Sequence, residues 1–259
     1  MMICIVMVFL ILYLYLMTQK EGFEERSMDP FQGKVYRNEK MYDPFYAYNY
    51  DDLRLTVPYL VEMIQHIFPY FQSGKTLCLG SKNGHVVQLL SKSFAVGAES
   101  SKAMVDVSRY KYPELSFVHG NYTSTLFPSH SFSQIVLPLW TLHTLPNLSD
   151  VLFSLKEWII HTGYVFVCFV DIHTFPIHFL MPDPSEYFSL NYEYGIERKG
   201  NQYIETIQDK TFQVRTNVQD LYAYTEQRLI ETARSVGFTH VLTLPFDAIP
   251  MSIAVFQNK

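Results

Sequence analysis

Two glycines and one carboxylate in the first half of the chain have the spacing of a nucleoside-binding site. Gly80 and Gly84 follow a short apolar run, and Glu99 ends the next apolar run about 20 residues after Gly80. Glycines in such a turn let the backbone come close to a ligand. A carboxylate at the tip of the second strand accepts hydrogen bonds from both ribose hydroxyls. These residues therefore predict a site for a nucleoside cofactor.

The elements that must position these residues alternate between strands and helices. Apolar runs predict strands at 76–79, 94–98, 115–118, 132–137 and 164–170, and apolar faces predict helices at 56–71, 101–110 and 148–160. Such alternation is typical of a mainly parallel, doubly wound α/β sheet. Ligands of these sheets bind beyond the carboxyl ends of the strands, where the glycine loop and Glu99 lie.

The last third of the chain has a different pattern. It predicts a hairpin of strands at 194–198 and 202–207 around Lys-Gly-Asn, followed by a third antiparallel strand at 210–216. A helix at 220–236 ends at Gly237, and two closing strands follow at 240–244 and 252–256. We expect the hairpin insertion, about 193–216, to cover the substrate side of the fold.

The composition limits the classes of function. The chain has 259 residues, 48% of them hydrophobic, with a formal net charge of -5. This is enough for one sizeable core, and no basic run indicates a nucleic-acid groove. The His residues are scattered without metal-ligand spacing, so no metal site is predicted. Cys4, Cys78 and Cys168 lie far apart and are interpreted as small hydrophobes in a reducing compartment.

The N-terminal residues predict a membrane anchor. Residues 1–17 are uncharged and apolar, which is just long enough for a spanning helix. A cleaved signal peptide is the competing interpretation, but the run lacks a basic start and a small-x-small cleavage site. We expect an uncleaved anchor over 1–18, a polar linker over 19–40 and a domain over 41–259. Basic residues after the run, beginning with Lys20, place that domain on the cytosolic side of a membrane.

A segment dense in tyrosine and aspartate, residues 41–53, begins the domain. It is either a lid whose rings stack on a nucleobase or approach a cation, or an aromatic segment packed on the core. The residues alone leave both interpretations open.

From about Met41 to the C-terminus, these motifs resemble class I S-adenosylmethionine-dependent methyltransferases. The resemblance rests on Leu77-Cys-Leu-Gly-Ser-Lys-Asn-Gly84, on Val96-Gly-Ala-Glu-Ser-Ser-Lys-Ala-Met104 and on the aromatic lid. It implies a Rossmann-like sheet with antiparallel C-terminal strands and S-adenosyl-L-methionine as cofactor. The cofactor-binding residues that it implies are Tyr46, Gly80, Ser81, Asn83, Gly84, Glu99, Ser100, Asn121 and Tyr122. An anchored, aromatic-rich domain is also similar to methyltransferase-like proteins of large DNA viruses.

Four positions depart from the family pattern. Cys78 replaces an acidic residue, Lys82 a glycine, Asn121 an aspartate, and Ser133 the aspartate of a Phe-Asp pair. Asn121 still offers a carbonyl oxygen to an exocyclic amine. Lys82 either occludes the site or swings out to pair with the methionine carboxylate.

Two functions follow from the resemblance. The first is an active, membrane-anchored methyltransferase acting on a small molecule, a lipid or a protein, with His143 as a candidate base and Asp171 as a candidate substrate contact. For both residues a surface or capping role is the alternative. The second is a catalytically inactive protein of the same fold that serves as a tethered binding or scaffold module. A Rossmann dehydrogenase is disfavoured because Gly-Ser-Lys-Asn-Gly is not GxGxxG.

Overall fold

The structure is a computed structural model that describes residues 33, 35–53, 57–176, 192–246 and 249–259. The predicted anchor over 1–18 lies outside these residues, as does most of the predicted linker. Within the part of the chain that is described, no helix is long and apolar enough to cross a bilayer.

The described residues form helices and strands close to the predicted order. The helices are α1 (Pro44–Tyr48), α2 (Tyr50–Leu53), α3 (Val57–Ile67), α4 (His85–Leu89), α5 (Lys102–Lys111), α6 (Leu148–Trp158) and α7 (Glu226–Ser235). The strands are β1 (Val35–Arg37), β2 (Thr76–Leu79), β3 (Ala95–Glu99), β4 (Ser116–His119), β5 (Phe132–Leu137), β6 (Ile159–Phe169), β7 (Tyr192–Lys199), β8 (Gln202–Asp209), β9 (Val214–Asp220), β10 (Phe238–Pro245) and β11 (Ser252–Asn258). Short 3-10 turns lie at Asn38–Met41, Phe68–Tyr70, Ser91–Ser93 and Leu142–Thr144.

The main sheet has seven strands in the order β10-β11-β6-β5-β2-β3-β4. The strands from β6 to β4 are parallel to their neighbours, whereas β11 is antiparallel to both β6 and β10. The strand order reverses between β2 and β5. Such a switch point opens a crevice beyond the strand ends, so the loops after β2 and β5 are where a ligand is expected.

Two apolar layers cover the main sheet. Leu77 and Leu79 pack with α6 and α7, while Cys78 points to the opposite face, beneath α3 and α4. This period-2 alternation is that of a central strand covered on both faces. Cys78 and Cys168 are buried, as predicted, and burial raises the pKa of the Cys168 thiol to about 12.

A second sheet of four strands, here called the cap sheet, has the order β1-β9-β8-β7. Strands β7, β8 and β9 are antiparallel, and β1 joins β9 in parallel. The ring of Tyr203 on β8 meets the ring of Trp140, which follows β5, with centroids 5.3 Å apart. The cap sheet therefore lies over the carboxyl edge of the main sheet.

Three predicted boundaries are corrected. Residues 35–40, assigned to the linker, form β1 and most of a 3-10 turn, because β9 supplies a pairing edge that is distant in sequence. Helix α6 ends at Trp158 and β6 begins at the next residue, earlier than the predicted strand. Helix α7 begins after Thr225, whose hydroxyl accepts from Arg228 N, since 214–220 pair as β9.

Candidate functional site

A partly open cleft with a cavity volume of about 90 Å³ lies at the switch point. Its walls are residues 80–83 after β2, residues 138–141 after β5, and side chains from the cap sheet and from the segment around Tyr42. Ligand sites commonly span about 300–1,000 Å³. The cleft in this conformation is therefore smaller than a typical ligand site.

The glycine loop has a backbone that only small residues fit easily. Gly80 has φ +79°, and a Cβ placed there would lie 2.5 Å from the Thr141 side chain. Gly84 has φ +95°, and a Cβ there would lie 2.9 Å from Tyr112 Cδ2. Lys82 also adopts the left-handed conformation, with φ 50°. The lysine therefore adopts a backbone conformation that favours glycine and adds a long charged side chain.

The Glu99 carboxylate is fully buried and bound by nearby donors. Its Oε1 accepts from Ser100 N at 2.9 Å, Ser100 Oγ at 3.2 Å and Ser101 N at 3.1 Å, and its Oε2 accepts from Lys82 N at 3.0 Å. These bonds fix the carboxylate at the end of β3, the predicted position of a ribose acceptor. Oε2 retains acceptor capacity on the side where the Lys82 side chain lies.

The Lys82 ammonium covers this carboxylate. Nζ lies 3.7 Å from Glu99 Oε2 and 4.1 Å from the centroid of the Tyr42 ring. Burial alone lowers the pKa of Lys82, but the neighbouring Glu99 carboxylate raises that pKa well above its usual range. Of the two conformations predicted for Lys82, the structure shows the one that occludes Glu99, the predicted ribose acceptor.

The aromatic lid is fastened to the glycine loop through Asp51. The Asp51 carboxylate accepts from Asn83 Nδ2, pairs with Lys111 Nζ, and lies 2.9 Å from His85 Nε2. Burial raises the pKa of Asp51, but the bonds to His85 and Lys111 outweigh it and hold that pKa well below its usual range. Tyr112 Oη lies 2.7 Å from His85 Nδ1 and completes the chain. The predicted Asn83 is therefore brought to the cleft, where it also holds the lid.

Tyr46 does not contact the cleft. Its ring is buried, and its hydroxyl donates to both Glu205 oxygens, at 3.0 and 2.8 Å. Tyr42 and Tyr50, from the same lid, line the cleft instead. The geometry argues against the predicted cofactor contact for Tyr46, because its hydroxyl is already engaged with the cap sheet.

Beneath the lid, Arg215 links the N-terminal segment to the cap sheet. Its fully buried guanidinium donates to Asp43 Oδ2 at 2.7 Å, Met41 O at 2.9 Å and Asn217 Oδ1 at 2.9 Å. It also lies 3.9 Å from the Tyr36 ring centroid. These contacts are internal to the protein and position the lid.

The remaining predicted cofactor residues lie outside the cleft lining. Ser100 is hydrogen-bonded to Glu99. The Asn121 side chain is exposed, and the backbone carbonyl of Asn121 accepts from Thr123 N at 2.8 Å. Burial raises the pKa of Tyr122, and Glu99 raises it further. Thus the glycine loop and Glu99 adjoin one another, whereas Asn121 and Tyr122 belong to the neighbouring strand end.

The geometry also argues against His143 as a base. His143 is fully buried, its Nε2 accepts from Val170 N at 3.0 Å, and its Nδ1 lies 2.9 Å from Tyr222 O. Because Nε2 must be an acceptor, Nδ1 carries the proton and donates to Tyr222. Burial lowers the pKa of His143, which favours this neutral form. The ring thus connects three chain segments and has no nitrogen left for a proton from a substrate.

Asp171 closes a turn after β6. Its Oδ1 accepts from His173 N at 2.9 Å, and this bond lowers the pKa of the carboxyl. The side chain is exposed and lies outside the cleft lining. The arrangement matches the capping alternative better than a substrate contact.

The wall opposite the glycine loop was not predicted from the sequence. Trp140, Leu139 and Leu221 form its apolar part, together with Tyr203 and Gln219 of the cap sheet. Trp140 was predictable because it follows the carboxyl end of β5. Tyr203 and Gln219 have no sequence signal, since their direction depends on the register of β8 and β9.

The residues present fit S-adenosylmethionine if Lys82 moves. Gly80 supplies the positive φ of the turn after β2, and Glu99 supplies carboxylate oxygens at the tip of β3. Ser81 lines the cleft, but its buried Oγ, which has no hydrogen-bond partner among the described residues, lies beside Gly97 of β3.

The comparisons with known proteins agree with this geometry. A sequence profile described as "Methyltransferase domain" matches residues 77–167. The CcbJ methyltransferase from Streptomyces caelestis has a TM-score of 0.66 at 17% identity, covering 85% of this chain and 98% of that one. CalS10, a SAM-bound amino pentose methyltransferase from Micromonospora echinaspora involved in calicheamicin biosynthesis, has a TM-score of 0.55 at 11% identity, covering 83% and 97%. A S-adenosylmethionine-dependent methyltransferase from Clostridium acetobutylicum has a TM-score of 0.59 at 10% identity, covering 76% and 89%. No curated protein matches the sequence.

At these identities the structural similarity shows the fold alone. Together with the domain match, it confirms the resemblance to class I S-adenosylmethionine-dependent methyltransferases and the Rossmann-like, mostly parallel sheet. The same findings support S-adenosyl-L-methionine as the cofactor. The similarity to viral proteins stays a prediction.

Proposed function

We propose that this chain is a membrane-anchored, S-adenosylmethionine-dependent methyltransferase whose acceptor is a small molecule bound in the cleft. The observation that carries the proposal is the cleft itself. It lies at the switch point, with the glycine loop on one side and an apolar wall on the other, and Glu99 lies behind the Lys82 side chain that lines it. A methyltransferase needs these two compartments, one for the cofactor and one for the acceptor.

When bound, the cofactor supplies a methyl group activated on a sulfonium. The protein's own contribution is alignment and the exclusion of water. Glu99 holds the ribose hydroxyls once the Lys82 ammonium has left Oε2. Leu139, Trp140 and Leu221 hold the acceptor in an apolar setting, and the proposal assigns no side chain the role of base.

Calorimetric titration with S-adenosylhomocysteine tests the cofactor assignment. The full chain in mild detergent is compared with Glu99→Gln and with Glu114→Gln, which changes an exposed glutamate of the same charge. We expect micromolar binding by the wild type and by Glu114→Gln, and at least tenfold weaker binding by Glu99→Gln, because one ribose acceptor is lost. Equal binding by all three proteins would exclude the assigned ribose contact.

A second function has one observation in its favour. The Lys82–Glu99 pair occupies the position that a ribose needs, as expected of a binding or scaffold module that no longer takes up the cofactor. The two functions differ in what removal of the Lys82 charge does to cofactor binding.

The anchor rests on the sequence. Residues 1–17 carry no charge and basic residues follow, so we propose one N-terminal span with the domain in the cytosol. Deletion of residues 1–18 should move the protein from the alkali-resistant membrane fraction to the soluble fraction. In sealed vesicles that expose the cytosolic face, added protease should digest the domain of the full-length protein. A full-length protein extracted by alkali, or protected inside those vesicles, would contradict the proposal.

A further inference from the structure

Gln219 lines the cleft from the cap sheet, and its side-chain carbonyl oxygen is buried. Gln219 on β9 is the direct cross-strand partner of Tyr203 on β8, so the two side chains share one face of the cap sheet. Both line the cleft. Gln219 is only 9% exposed, and its polar atoms therefore need partners.

The hydrogen bonds fix which end of the Gln219 amide is bonded within the protein. Asp220 N donates to Asn38 Oδ1 at 2.8 Å, and Asn38 Nδ2 donates to Asp220 Oδ2 at 2.8 Å, so Oδ1 of Asn38 is an acceptor. Gln219 Nε2 lies 3.2 Å from that oxygen and 3.0 Å from Asp220 O. Since both neighbours are acceptors, the nitrogen must point toward them, and a flipped amide is excluded.

Gln219 Oε1 is left without a donor from any residue that the structure describes. A buried carbonyl without a partner is unfavourable and rare in native proteins. Because the Gln219 residue lines the cleft, a ligand bound there is a source of the missing donor. The oxygen therefore selects for a hydroxyl or an N–H group.

The surroundings restrict the rest of the ligand. The neighbouring wall consists of Leu139, Trp140 and Leu221. The basic side chains in the described lining, Lys82 and His85, belong to the glycine loop and its helix and are held by Glu99 and Asp51. An anionic group on the acceptor side would thus be desolvated without a partner.

We propose that the methyl acceptor is a largely apolar hydroxyl or amino compound without an anionic group, and that Gln219 Oε1 orients it by accepting its O–H or N–H hydrogen. This inference rests on the proposed function, because it assigns the acceptor of the same site. Gln219 is a specificity-determining residue in this scheme, since it rejects molecules that lack the donor.

Matched probe pairs test this assignment. The full chain in mild detergent, saturated with S-adenosylhomocysteine, is titrated with 4-propylphenol, 4-propylaniline, their O-methyl and N,N-dimethyl counterparts, and 4-propylbenzoate. Affinities are measured by ligand-observed NMR for the wild type, for Gln219→Met, and for Gln227→Met, an exposed glutamine outside the cleft. We expect the wild type and Gln227→Met to bind the donors about tenfold or more tightly than the capped compounds, with the benzoate weakest. In Gln219→Met the preference should fall to about one, with the affinity for S-adenosylhomocysteine unchanged.

The outcomes separate this inference from the proposed function. Equal affinity for donors and capped compounds, preference for the benzoate, no binding of any probe, or a preference that survives Gln219→Met would overturn it. If Gln219→Met does not fold, the wild-type ratio decides alone. If S-adenosylhomocysteine does not bind but the donors bind in a Gln219-dependent way, the methyltransferase proposal fails and the site binds a ligand of the same chemistry.

Discussion

Removal of the Lys82 charge should strengthen nucleoside binding. In Lys82→Met the side chain keeps its length but no longer pairs with Glu99. A ribose then reaches Glu99 Oε2 without displacing an ammonium that lies 3.7 Å from that oxygen. The backbone bond from Lys82 N to Oε2 is unaffected by the substitution.

The expected gain follows from the two contacts that the ammonium must give up. An ion pair with a partly exposed partner contributes about 1 kcal/mol, and Lys82 is 21% exposed. A cation above a tyrosine ring adds about 0.5–1 kcal/mol, here with Tyr42. Together these give about 1.5–2 kcal/mol, which is about 10- to 30-fold in affinity.

The assay uses two ligands because Lys82 has a second possible partner. Methylthioadenosine has the ribose and adenine but no amino-acid part, so it reports the release of Glu99 alone. S-adenosylhomocysteine also carries a carboxylate that a displaced Lys82 is free to pair with. We expect methylthioadenosine to bind about 10- to 30-fold more tightly to Lys82→Met, and S-adenosylhomocysteine to gain less if that pairing occurs. Lys102→Met removes an equal charge from an exposed position and should change neither affinity.

Unchanged or weaker binding of methylthioadenosine to folded Lys82→Met would refute this reasoning. The result also decides between the two functions. If the wild type binds no cofactor and Lys82→Met does, Lys82 has closed the site and the scaffold function is favoured. If the wild type already binds in the micromolar range, Lys82 is a displaceable group in an active site.

Three further perturbations test the surrounding structure. Gly80→Ala should lose S-adenosylhomocysteine binding and about 1–2 kcal/mol of stability, because Gly80 has a positive φ and the Thr141 side chain packs against it. Gly195 has open space around it, so Gly195→Ala should be nearly neutral in thermal unfolding. Arg215→Met should destabilise the fold by about 3–5 kcal/mol in denaturant unfolding, because it leaves buried acceptors unpaired. A loss of stability no larger than that of Arg234→Met, which changes an exposed arginine, would contradict the role of Arg215 in linking the N-terminal segment to the cap sheet. Burial holds the pKa of His143 below its unfolded value, so the imidazole takes up a proton more readily in the unfolded chain than in the folded one. The stabilisation of the fold by neutral His143 is therefore present above about pH 6.5 and is lost as the pH falls below that value. The difference in melting temperature between wild type and His143→Asn should therefore shrink from pH 8 to pH 5.5, and a constant difference would exclude a neutral buried ring.

The sequence alone determined the frame of the site. The strand before Gly80, the glycine turn and the strand that ends at Glu99 were predicted where they occur, because each depends on a local periodicity or on the freedom of glycine at positive φ. The fold class followed from the same alternation of elements. The strand β1 was missed because three residues with one partly buried side chain give no periodic signal.

Only the tertiary structure decided which side chains enter the cleft. Tyr46 was predicted and points to Glu205, whereas Tyr42 lies on the cleft and beneath the Lys82 ammonium. The nitrogens of His143 are bound by backbone groups 27 and 79 residues away. Gln219 enters the cleft through its register with β8. The direction and partners of a side chain depend on how distant segments pack, and no local pattern of residues contains that information.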